Sequence, residues 1–146
     1  MSTRGSVAWI EDGDACRGVY ISNCAQPTAA GREIFARTSA LGLQGLANEL
    51  RSRTEAERLF DPFDDALSLE WVYLLRPEAG AIEVWAHALY SRARALNGKR
   101  WSGKTYVARC SGSVYTHVHV LDIRASEPEP DWERQEERVT AMTLTD

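Results

Sequence analysis

His117 and His119 are the first residues of this chain whose types and spacing suggest chemistry. Residues two apart on a β-strand share a face, so the two imidazoles would stand close enough to hold one metal ion. Cys110 or His87 would supply a third ligand, and three protein ligands with one open position is the arrangement of a metal-dependent hydrolase. The pair lacks the further ligands at fixed spacing that make a metal motif specific. The stronger expectation is therefore two polar residues on the solvated face of a sheet, with no metal and no cofactor.

A second candidate is Gly98-Lys99-Arg100-Trp101-Ser102-Gly103-Lys104-Thr105, which fits the phosphate-binding pattern G-x-x-x-x-G-K-[ST]. Such a loop works when it leaves a strand and opens a helix, because the free N–H groups of the first helical turn then converge on phosphate oxygens. Here Tyr106-Val107-Ala108-Arg109-Cys110 follows, a run that favours a strand. A basic surface hairpin is expected, with a nucleotide or phosphate binder through Gly98 to Thr105 as the alternative.

The third candidate is a stretch rather than a motif. The net charge is −4, yet no Asp or Glu occurs from Val84 to Leu121, where six basic residues and all three histidines fall. The rest of the chain carries 11 basic against 21 acidic residues, concentrated at 61–70 and 122–137. Tyr90, Trp101 and Tyr106 are interleaved with Arg92, Arg94, Lys99, Arg100, Lys104 and Arg109. Cations of this kind contact phosphates and aromatic faces stack on exposed bases, so these nine residues are the expected binding set for nucleic acid or for an acidic protein surface. The plain alternative is a solvated face whose aromatic residues turn into the core.

No set of nucleophile, base and stabilising donors emerges, so no catalytic residue is assigned and a binder is expected rather than an enzyme. Ser2 as an N-terminal nucleophile has no partner to activate it. Asp61, Asp64 and Asp65 lack the Gly and terminal Glu of a calcium loop. Cys16 and Cys24 read as inert packing, and Trp132, in an acidic segment with no obvious burial, is a candidate anchor for a partner, the less favoured of its readings.

The elements that must position these residues follow from periodicity. Residues 6–11 and 17–22 form an opening hairpin around Asp12-Gly13-Asp14, since Asp-Gly accepts the positive φ angles of a tight turn. Pro27-Thr28 starts a helix, and Ile34, Phe35, Leu43, Leu46, Ala47 and Leu50 recur at helical spacing, broken by Gly42 and Gly45. Thr54 and Glu57 form a capping box for one further turn. Residues 69–75 and 81–87 pair as strands across Arg76-Pro77-Glu78-Ala79-Gly80. Residues 88–96 fit either helix or strand, with a helix ending at Asn97-Gly98 the favoured reading, and 105–110 and 113–123 read as two more strands. From Ala125 the two prolines and many acids predict a linker and mobile tail, free to fold over the basic stretch.

These readings give an α+β protein, a mostly antiparallel sheet of about six strands with helices inserted between strands 2 and 3 and packed on one face. The expected organisation is one domain over 1–124 and an acidic tail over 125–146. At 146 residues and 44% hydrophobic composition the chain can bury a core without staples, and three cysteines are too few for a disulfide framework. With no apolar run of about 18 residues and no signal-like opening, it is expected in the cytoplasm, without a membrane partner.

The opening Met1-Ser2-Thr3-Arg4-Gly5, followed by Asp12-Gly13, Val19-Tyr20, Pro27 and Gly31, resembles a group of uncharacterised phage and actinobacterial proteins. That group begins with a Gly-Thr-Arg-Ser-like run and continues through a Tyr-x-His-x-Asp-Gly-Tyr-Pro-like segment. This chain has Ile21-Ser22-Asn23-Cys24-Ala25-Gln26 where the group has its His and Asp. The resemblance covers the first 31 residues and implies a phage or prophage origin, with no activity attached. A small contact-acting protein that inhibits a host machine would fit it.

Overall fold

The computed structural model describes residues 3–11, 15–53, 61–63, 69–89, 100–101, 104–105, 108–109 and 115–140. The opening hairpin pairs β1 (Gly5–Ile10) with β2 (Cys16–Ile21). A π-helical turn over Pro27–Gly31 leads into α1 (Arg32–Leu41), and α2 (Leu43–Arg53) follows. Gly42 separates the helices because its φ of 76° is one that a side chain disfavours. Gly45 stays inside α2 and breaks nothing.

Next come β3 (Trp71–Arg76) and β4 (Ala81–Leu89), paired antiparallel across a turn closed by Gly80 at φ 65°. Three two-residue segments follow: β5 (Arg100–Trp101), β6 (Lys104–Thr105) and β7 (Ala108–Arg109). Then come the long β8 (Tyr115–Arg124) and α3 (Trp132–Val139).

Five full strands form one mixed sheet in the order β2-β1-β3-β4-β8, with β7 added along part of β8. Only β1 and β3 run parallel among the described pairs, which the intervening helical crossover makes possible. β3 lies at the centre and Trp71, Val72, Tyr73, Leu74 and Leu75 are all buried, as a strand covered on both faces requires.

The main core lies between one face of the sheet and the helices. It joins Val7, Trp9, Trp71, Tyr73, Ile82 and Val84 to Ile34, Phe35, Leu46, Leu50 and Trp132. The Tyr73 hydroxyl donates to the Ala25 carbonyl at 2.6 Å, and burial, with the Glu136 charge adding to it, holds its pKa well above the ordinary tyrosine value. A smaller apolar cluster of Ala8, Cys16, Phe63, Val72, Leu74 and Trp85 covers the opposite face.

Three expectations are corrected. The sheet has five full strands rather than six, because the run expected as a strand over 105–110 contributes only the pieces β6 and β7 among the described residues. Ala88 and Leu89 continue β4 instead of opening a helix, since β8 extends to Tyr115 and pairs them.

The acidic segment, expected as a mobile tail, carries α3 instead. Asp131 caps it by accepting from the Arg134 amide at 3.1 Å, and Trp132 and Val139 are buried in the main core. Two of the three acids of this helix engage neighbours. Glu133 pairs with Arg32 at 2.8 Å, and Glu136 accepts from the amide and hydroxyl of Thr28 at 3.0 and 2.9 Å.

Candidate functional site

The face of the sheet away from the helices gathers all three histidines. In the β4–β8 ladder His87 stands opposite His117 and Trp85 opposite His119. His119 stacks on the Trp85 indole at 5.2 Å with ring planes 18° apart, and His117 lies 5.0 Å from His87. Phe63 meets Trp85 and His117 edge-on at 5.1 and 5.4 Å. It reaches them from a turn in which the Asp61 carboxylate accepts from the Phe63 amide at 3.0 Å. Asp61 therefore shapes a turn and positions the Phe63 ring against this face.

His117 is buried, and its Nε2 donates to the Leu69 carbonyl at 2.8 Å, since a carbonyl oxygen only accepts. This corrects the expectation of two histidines on a solvated face. It also separates the roles of the pair. The ligating groups brought within 4.8 Å of one another are Glu83, His119 and Asp122, and His117 is not one of them.

A bulge makes this grouping. Val84 pairs with Leu121 and Trp85 with His119, so Val120 is an extra residue on β8. Residues three apart on a regular strand face opposite ways, but the extra residue restores Asp122 to the His119 side, and His119 Nε2 and Asp122 Oδ1 meet at 2.7 Å. Val120 and Leu121 are both buried in the main core as a result. A break in alternation, Val118-x-Val120-Leu121-x-Ile123, was the signal available in the sequence.

Charge on this face is shared along β3 and β4. Arg76 donates to Glu83 Oε2 at 3.2 Å and also binds Glu78, and Trp85 Nε1 donates to Glu83 Oε1 at 3.2 Å. The hydrogen bond to Glu78 raises the Arg76 pKa above its ordinary value, and the same bond lowers that of Glu78.

Of the nine basic and aromatic candidates, Arg100, Trp101, Lys104 and Arg109 fall in described strands, while Tyr90, Arg92, Arg94, Lys99 and Tyr106 lie outside the described residues. Arg100 pairs in register with Thr105 and Trp101 with Lys104, forming an antiparallel ribbon separate from the main sheet. Arg109 stands opposite His117 on β8. Lys104–Thr105 is thus strand where a phosphate loop would open a helix, and the helix N-terminus that such a loop depends on is not formed there.

Two further readings change. Trp132, a candidate anchor for a partner, is 2% exposed and packs edge-on against Phe35 at 6.2 Å. Cys16 is buried as expected, but Cys24 is exposed, at a φ of 56°. Cys110 lies outside the described residues. Cys24 lines a cleft of about 310 Å³ together with Val19, Ile21, Ile34, Leu50, Arg37 and Arg53. Both arginines pair with Glu49. No helix among the described residues is long and apolar enough to cross a membrane. Comparison with known proteins gives no matching family model, no curated relative and no matching solved structure.

Proposed function

We propose that this protein is a small binding protein of phage or prophage type, acting by contact through the basic-aromatic segment from Tyr90 to Arg109, and that its partner is single-stranded nucleic acid. The observation that carries this reading is the β5–β6 ribbon. It sets Trp101 opposite Lys104 and Arg100 opposite Thr105, on a two-stranded element apart from the main sheet and inside a stretch of sequence without a single acid. Cations beside aromatic rings serve phosphates and bases together. Glu133 and Glu136 of α3 engage Arg32 and Thr28, so that helix has its own docking place. The resemblance over the first 31 residues supports the phage-type origin.

The test is fluorescence anisotropy of labelled single-stranded DNA, RNA and duplex DNA at about 50 and 200 mM salt, between which phosphate-driven affinity falls steeply. Binding to single strands should weaken with salt and drop further in the Arg100→Ala, Lys104→Ala double variant. Trp101→Ala should cost about 1–3 kcal/mol, the worth of one stacked base. Absence of binding at both salts overturns the nucleic-acid reading and leaves an acidic protein surface as the partner to seek by pull-down.

A further inference from the structure

We propose that Glu83, His119 and Asp122 form a binding site for one divalent transition-metal ion, with zinc as the reference cation. The site is distinct from the β5–β6 ribbon and does not depend on the nucleic-acid reading. Its three ligating atoms lie within 4.8 Å of one another. Ligands of a single zinc ion stand roughly 3–4 Å apart, so a small change of rotamer closes the set.

The donor set selects the ion. Two carboxylates with one imidazole are too hard for a copper(I) site, and the imidazole favours zinc and its first-row neighbours over magnesium and calcium. Three protein ligands leave the remaining positions to water or to an incoming oxygen.

The surroundings support the first ligands as they do in built metal sites. Glu83 is oriented from both sides, by Trp85 Nε1 on one oxygen and Arg76 on the other. The His119 ring is fixed in plane by the Trp85 indole. All three groups stand on β4 and β8, paired strands rather than loops. Their side chains are 18%, 11% and 12% exposed, enough to admit an ion while keeping its charge interactions from being fully screened. The bulge at Val120 has a clear consequence here, since without it Asp122 would face the helices.

Calorimetric titration of zinc into the metal-free full chain tests this. The expected result is one ion per chain, with affinity reduced about 10-fold or more in Glu83→Gln and in Asp122→Asn, because losing even a supporting group of a metal ligand costs that much. Glu133→Gln, which removes an exposed carboxylate on α3, should bind as the parent does. Thermal melts confirm that each variant is folded, and His119→Gln stands in for either amide variant that is not. No saturable binding overturns the proposal. So does zinc binding of unchanged strength in both amide variants, which would put the ion on cysteines or histidines elsewhere.

Discussion

Tyr73 shows how one atom ties the sheet to the chain crossing over it. Its ring is 1% exposed in the main core, and its hydroxyl finds the one partner that makes this burial affordable, the Ala25 carbonyl. Tyr73→Phe should therefore lower stability by about 1–2 kcal/mol, the cost of a buried carbonyl left without its donor, and urea denaturation should show it as a lower midpoint with unchanged slope. Glu11 is the complementary case at the surface. Hydrogen bonds from Trp9 Nε1 at 2.7 Å and from Arg51 at 2.9 Å lower its carboxyl pKa, the Trp9 bond being the larger cause. A lowered folded pKa means stability that is present above the unfolded value of about 4.3 and is lost as pH falls through the folded value. Glu11→Gln should be less stable than the parent at neutral pH by no more than about 1 kcal/mol, as for a partly exposed pair, and the gap should close in thermal melts on the acid side.

At the scale of elements, α3 illustrates how a short polar helix is held by its ends and one anchor. Its acids and arginines give it little reason to pack, but the Asp131 cap satisfies its first turn and Trp132 inserts beside Phe35. Trp132→Ala should destabilise the protein by about 3–5 kcal/mol, the range for emptying a buried aromatic site. Asp131→Ala should cost only about 1 kcal/mol, the usual worth of a cap. Chemical denaturation of the two variants separates anchor from cap. Equal, small losses would mean that α3 contributes little to the fold. The bulge in β8 is the other decisive element, because a single unpaired residue determines which side chains share a face.

Across the whole molecule, the sheet divides two kinds of surface. One face is closed by helices over a continuous apolar core, and the other carries His87, Trp85, His117, His119, Glu83 and Asp122 around a smaller cluster. The ribbon of β5 and β6 lies outside that sheet, in the acid-free part of the chain. The proposed metal binding on the sheet and the proposed nucleic-acid binding on the ribbon are thus separable, and a variant that removes one should leave the other intact. Titrating zinc into Arg100→Ala, Lys104→Ala tests that separation, with parental zinc affinity expected.

What the sequence determined by itself is local. Two runs rich in Trp, Val, Tyr and Ile around Pro77 and Gly80 define the β3–β4 hairpin, and the apolar positions from Ile34 to Leu50 define two helices split at Gly42, because composition, period and turn chemistry are properties of neighbouring residues. The gathering of charge and histidine between Val84 and Leu121 was likewise open to reading. Tertiary structure decided the rest. Trp132 is buried only because Phe35 and the helical face are there to receive it, a partner about a hundred residues away. Glu83 joins His119 and Asp122 only through strand register and one bulge, and His117 leaves them only because the Leu69 carbonyl lies within reach. Composition predicts that a segment is polar, but whether it is solvated, docked or part of a site depends on which distant surface the fold brings against it.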